Sequence, residues 1–88
     1  MNKPSGRHRT SQLTVKAIEA VAKPGRYPDG DGLYLVADNK NAKRWLLRII
    51  GQGRRRDIGL GSYKLISLAE ARDMAREYRR DARAGLDP

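Results

Sequence analysis

With 19 lysines and arginines against 10 acids in 88 residues, the chain carries a formal charge of +9, which draws it toward polyanions at a distance. These 88 residues are expected to form one small domain with a thin core, because a domain of this size buries only about 60% of its unfolded surface. The absence of cysteine excludes disulfides and thiolate zinc sites. No apolar run approaches the roughly 18 residues of a membrane span, and the N-terminus lacks the apolar centre of a secretion signal, so a soluble, cytoplasmic protein is expected.

Residues 1–12 place Lys3, Arg7, His8 and Arg9 among proline, serine, glycine and threonine. They predict a disordered basic arm, either a solvated leader or a strand laid along a phosphate backbone or minor groove. Thr14 is a plausible N-cap, with Leu13 and Ile18 at the N′ and N4 positions of a hydrophobic staple, so a short helix is predicted over residues 15–22. Lys23-Pro24-Gly25 ends it, since proline lacks a donor and biases its predecessor away from helix. Tyr27-Pro28-Asp29-Gly30-Asp31-Gly32 reads as turn chemistry leading into a first strand over residues 33–37. Its Asp-Gly-Asp-Gly run lacks the third oxygen ligand and terminal glutamate of a calcium loop, so no metal is expected there.

A polar turn over residues 38–42 precedes a second strand over residues 43–50, and Gly51-Gln52-Gly53 turns the chain into a third over residues 54–60. Ser67-Leu68-Ala69-Glu70 is a capping box preceded by Ile66. The helix it starts has an apolar stripe of Leu68, Ala71, Ala75, Tyr78 and Ala82, and Gly85 stands where a left-handed C-cap belongs. The expected fold class is α+β: a three-stranded antiparallel meander packed on a short N-terminal helix and a longer C-terminal one.

Alternation assigns the faces of that sheet. Trp45, Leu47 and Ile49 join Leu33, Leu35, Ile58 and Leu60 on the core side, leaving Tyr34, Val36, Arg44, Leu46, Arg48, Arg55 and Asp57 on an uncovered one. Residues 43–56 hold six cations (Lys43, Arg44, Arg48, Arg54, Arg55, Arg56) and no acid, threaded with apolar β-formers. A sheet that docks on a polyanion needs both kinds of face. The C-terminal helix also has five arginines, Arg72, Arg76, Arg79, Arg80 and Arg83, but Glu70, Asp73, Glu77 and Asp81 accompany them, so it reads as a mostly solvated, paired surface.

Enzyme chemistry has little to work with. There is one histidine, no cysteine, no nucleophile with a partnered base and no Gly-x-x-x-x-Gly-Lys phosphate loop. Catalytic residues, metals and cofactors are therefore not expected.

An ordered series of short motifs resembles the N-terminal arm-type DNA-binding domain of phage and genomic-island tyrosine recombinases, the integrases. It runs from Leu13-Thr14 through Asp31 and Gly32-Leu33-Tyr34-Leu35, then Lys43-Arg44-Trp45-Leu46-Leu47-Arg48, Gly53-Arg54-Arg55-Arg56 and Leu60-Gly61-Ser62-Tyr63. Ser67-Leu68-Ala69-Glu70-Ala71-Arg72 and Ala84-Gly85-Leu86-Asp87-Pro88 complete it. One departure is Lys64, where such domains usually have proline after the tyrosine. The resemblance implies a three-stranded sheet that enters the major groove at arm sites flanking the recombination core. It also implies a core-binding domain and a catalytic domain after residue 88, other recombinase protomers as partners, and no catalytic role for the tyrosines of this segment.

The expected domain is thus residues 13–88, monomeric in isolation, binding double-stranded DNA in support of integration and excision of a mobile element. Arg44, Arg48 and Arg55 are expected at base edges or phosphates, with Tyr34 and Leu46 as apolar contacts. Lys43, Arg54 and Arg56 are assigned to the phosphate backbone, and Arg7 and Arg9 to the basic arm. Two other classes fit the charge: an RNA-binding or ribosome-associated module, and a protein-interaction domain using the open sheet face.

Overall fold

The computed structural model describes residues 12–51 and 53–85, so the arm residues Arg7 and Arg9 lie outside the described part. Thr14 caps α1 (Val15–Glu19), its side chain accepting from the Ala17 N–H at 3.0 Å. The helix is shorter than the predicted 15–22, because the chain must leave helical geometry before Pro24. Leu13 and Ile18 both pack into the core, as the staple requires.

Four strands follow, β1 (Gly25–Gly30), β2 (Leu33–Ala37), β3 (Lys43–Gly51) and β4 (Arg54–Ser62), in one antiparallel sheet of order β1-β2-β3-β4. The expected three-stranded sheet is therefore corrected to four. The segment read as a turn is a strand, and the turn proper is only Asp31-Gly32, which joins Gly30 to Leu33 with positive φ at both residues (56° and 91°). Such a two-residue turn matches the twist of a hairpin. Pro28 is tolerated because β1 is an edge strand with a single partner, and a register irregularity falls between Pro28 and Gly30.

Asp38 shapes the next turn. Its Oδ1 accepts the N–H groups of Ala42 (2.9 Å) and Lys40 (2.8 Å), which in that order hold its carboxyl below the usual carboxylate range. In the β3–β4 pair a bulge at Leu60 separates Trp45↔Gly61 from Leu46↔Gly59, and it carries β4 two residues beyond the predicted end.

The long helix α2 (Leu68–Arg83) starts on the predicted capping box, with the Ser67 N–H donating to Glu70 and the Glu70 N–H to Ser67, and Gly85 follows it at φ 84°. Leu68, Ala71 and Ala75 of its stripe are buried against Ile18, Leu33, Leu35, Trp45, Leu47, Ile49 and Leu60, with Tyr78 and Ala82 packed alongside. Trp45 is wholly buried; its Nε1–H donates to the Ile66 carbonyl at 2.8 Å and its ring meets Tyr63 edge-on. Both helices thus lie on one side of the sheet.

A polar clamp completes this layer. Asp29, 2% exposed, accepts the Leu13 N–H at 2.8 Å and both Nε–H and Nη2–H of Arg72 at 2.9 Å, while Arg72 Nη2 also donates to the Leu13 carbonyl. Asp29 is thus a structural acid and Arg72 a structural cation, joining the entry of α1, β1 and α2. Arg79 ties the Asp31-Gly32 turn to α2 in the same way, donating to the Asp31 carbonyl at 3.2 Å.

Candidate nucleic-acid interface

The residues left on the other side of the sheet form rows that can be read from the register. Arg26, Val36, Arg44 and Ser62 lie across one end; Pro28, Tyr34, Leu46 and Gly59 come next; then Arg48 opposite Asp57; and last Ile50 opposite Arg55. Arg26, Arg44, Ile50, Arg55 and Asp57 are exposed, whereas Tyr34, Val36, Leu46 and Arg48 shelter one another. Ile50 is 73% exposed, a large apolar residue at the rim of a basic face. Two rows of cations thus flank an apolar strip.

The five open-face residues predicted as contacts, Tyr34, Arg44, Leu46, Arg48 and Arg55, are brought together on this side. Lys43, Arg54 and Arg56 alternate to the other: Lys43 is half-buried opposite Ala37, Arg54 exposed opposite Gly51, and Arg56 half-buried opposite Ile49. They stand at the start of β3 and beside the β3–β4 turn, at the sheet's ends rather than its centre.

Arg48 is held on two sides. Its Nε donates to Asp57 Oδ1 at 3.1 Å and its Nη2 to Oδ2 at 3.4 Å, while its guanidinium carbon lies 5.5 Å from the centre of the Tyr34 ring. The hydrogen bond from Arg48 pulls the Asp57 carboxyl below its ordinary value, and Arg55 and Arg26 add to the pull. The same bond raises Arg48 further, with help from Tyr34. Among the described residues of the open face, then, Asp57 is the one acid, and it sits among arginines.

Elsewhere the charges are more local. Asp73 pairs with Arg76 three residues on along α2. Among the described residues, no group of three or more histidine, cysteine or acidic side chains could hold a metal ion, and no helix is long and apolar enough to cross a membrane.

Comparison with known proteins decides the family: the model of the arm DNA-binding domain matches residues 13–88. The chain belongs to that family. An integrase of Shigella phage Sf6 and the prophage integrase IntS of Escherichia coli K12 are each 44% identical to it over 79 residues, a stretch that covers 86% of this chain and 20% of theirs. The arm domain therefore spans about a fifth of the length of these curated relatives. It is a DNA-binding module, and catalysis in integrases lies elsewhere in the chain.

Sequence reasoning missed one member of the arm domain's open face, Arg26, and one pairing on it, that of Asp57 with Arg48. Arg26 went unseen because residues 27–32 read as turn chemistry; the Asp31-Gly32 pair is a strong hairpin signal, but a regular two-residue hairpin would set Arg26 opposite Ala37 on the core side, and only the irregularity between Pro28 and Gly30 brings it opposite Val36 on the open face. The partnership of Asp57 was also missed, although counting back from the β3–β4 turn, with Gly51 opposite Arg54, puts residue 57 across from residue 48.

Proposed function

We propose that the arm domain reads double-stranded DNA at arm-type sites, with its open sheet face in the major groove. The observation that carries this reading is the uncovered face itself, where Arg26, Arg44, Arg48 and Arg55 surround the Tyr34–Leu46 strip. With strands about 4.8 Å apart, β2, β3 and β4 make a width of roughly 10 Å, within a major groove about 12 Å wide, and leave Arg26 on β1 at its phosphate rim. Arg44, Arg48 and Arg55 reach base edges or adjacent phosphates, and Tyr34 and Leu46 meet the apolar parts of bases. Lys43, Arg54 and Arg56, at the ends of the strands, hold the phosphate walls, and Arg7 and Arg9 extend the contact from a basic arm over residues 1–12 that precedes the domain.

In the parent protein this module serves integration and excision of a mobile element in the cytoplasm of a bacterial host. Linking arm binding to core binding on one chain raises the effective concentration at the second site. Other recombinase protomers are its partners through further domains, while the isolated domain is monomeric.

Fluorescence anisotropy tests the reading with three labelled duplexes: DNA from the flanks of the element's attachment site, a shuffled DNA of equal composition, and an RNA of the same sequence. Preference for the attachment flank is expected, with log affinity falling by about 0.9 per phosphate contact for each log unit of salt. Equal weak binding to all three would reduce the face to a generic cation surface. No binding to any of the three at low salt would instead favour a protein-interaction role.

A further inference from the structure

An acid in the middle of a DNA-binding face needs an explanation. Asp57 repels phosphates and neutralises an arginine that would otherwise release counterions, so by charge alone it weakens affinity. Its bonding geometry suggests what it provides instead. A guanidinium has a side edge, formed by Nε–H and one Nη2–H, and an end edge, formed by Nη1–H and the other Nη2–H. Asp57 takes the side edge of Arg48, through Nε and Nη2. The end edge is not used by Asp57, and two parallel donors on it match the O6 and N7 acceptors of guanine.

Tyr34 restrains the guanidinium from a third direction, with its ring centre 5.5 Å from Cζ. The Arg48 side chain is only 20% exposed as a result, against 36% for Asp57. A free arginine loses rotamer freedom when it docks, whereas one already clamped between a carboxylate and a ring loses much less. The carboxylate also makes the surroundings of Arg48 unattractive to a phosphate, which steers the guanidinium toward a base.

We propose that Asp57 is a specificity-determining residue of the arm domain, fixing Arg48 with its end edge outward as a reader of one guanine. This rests on the DNA-binding reading above. The face then divides its work: Arg48 contributes discrimination and little salt dependence, while Arg44 and Arg55, free of such a clamp, contribute affinity and salt dependence.

The test uses the 88-residue chain and its Asp57→Asn and Asp57→Ala variants, with selection from a pool of randomised DNA duplexes. The selected duplex is then remade with 7-deazaguanine, which lacks the N7 acceptor, at each guanine in turn. Circular dichroism and thermal melting confirm that the variants fold, as expected for an ion pair open to solvent.

For the unsubstituted chain, one position should show a loss of roughly tenfold on 7-deazaguanine replacement. In both variants that penalty should fall to about twofold or less, while binding to the unselected pool tightens and its salt slope steepens by about 0.9 as Arg48 turns to a phosphate. Variants that keep the full penalty at the same guanine would overturn the role of Asp57, with the DNA-binding reading intact. If the unsubstituted chain bound no duplex, both proposals would fall together. A purely structural Asp57 would lower melting temperature and leave the ratio of selected to unselected binding unchanged, which also refutes the assignment.

Discussion

Replacing Asp29 by Asn should cost about 3 kcal/mol of folding stability. The carboxylate is 2% exposed and accepts three hydrogen bonds, one from Leu13 and two from Arg72. Asparagine keeps the shape but turns an amide donor toward a guanidinium that can only donate, stranding a charge. Breaking a buried pair by removing one partner costs about 3 to 5 kcal/mol. The Arg72 side chain remains 29% exposed, so water relieves part of that and the low end applies. For 88 residues at about 0.05 to 0.15 kcal/mol each, total stability is roughly 4 to 13 kcal/mol, so the loss is a large share. Urea titration followed by Trp45 fluorescence should show the midpoint falling by about 2 to 3 M, for a slope of about 1 to 1.5 kcal/mol/M. The double variant with Arg72→Met should be less destabilised than the sum of the singles by about 2 kcal/mol, because neither charge is left alone. Hydrogen exchange at the Leu13 amide should quicken in either single variant. Additive singles, or a midpoint shift below about 0.5 M, would refute the clamp as a stabilising unit.

Trp45→Ala removes a fully buried indole and its bond to the Ile66 carbonyl; a loss of about 3 to 5 kcal/mol should unfold much of the population, and a folded variant that had only lost DNA binding would overturn the face assignment. At Gly32 an added Cβ would lie 2.3 Å from the Arg48 carbonyl oxygen at a φ of 91°, so Gly32→Ala should cost more than about 2 kcal/mol and lower the melting temperature by about 10 °C, and an unchanged melting point would contradict the close approach. The Asp57 carboxyl has a folded pKa lowered from 3.8, first by its bond with Arg48. Its contribution to stability is therefore present above about that pH and lost as the pH falls through the lower folded value; an NMR titration should place its midpoint under 3.8 in the parent and closer to 3.8 in Arg48→Ala, and equal midpoints would show that the pair does not persist in solution. Arg44→Ala and Arg55→Ala should each reduce the salt slope of DNA binding by about 0.9, with an unchanged slope removing that residue from the interface.

What could be read in advance followed from local periodicity. The alternation of Trp45, Leu47 and Ile49 with Arg44, Leu46 and Arg48 shows which side of β3 is buried, and Ser67 with Glu70 marks the start of α2. The misreading of β1 has an equally local cause: Gly25, Pro28, Asp29 and Gly30 are all poor β-formers, and the strand exists because β2 offers a free edge on which a residue without an N–H can sit. The clamp of Asp29 and Arg72 lies beyond such reasoning, since the partners are 43 residues apart while Asp73 and Arg76 offer a ready pairing at helical spacing. Arg72 was therefore grouped with a solvated face, although the fold uses it to hold the chain at Leu13.

The same alternation that makes the site legible also makes it vulnerable. Every second residue of β2 and β3 supports the core and every other one faces outward, so a slip of one residue would bury Arg44 and Arg48 and expose Trp45 and Leu47. The core is too thin to enforce the register by bulk alone, and the devices that pin it lie at the strand ends. The Asp31-Gly32 turn is tied to α2 through Arg79, the Asp38 carboxylate gathers the β2–β3 turn, and the Leu60 bulge lets the Tyr63 N–H reach the Lys43 carbonyl at 2.9 Å. None of these groups belongs to the open face, yet each determines which residues that face presents. Substitutions in the turns should therefore impair DNA recognition through register, and their effect should scale with lost melting temperature, whereas substitutions at Arg44, Arg55 or Asp57 should change recognition while the melting temperature stays nearly constant.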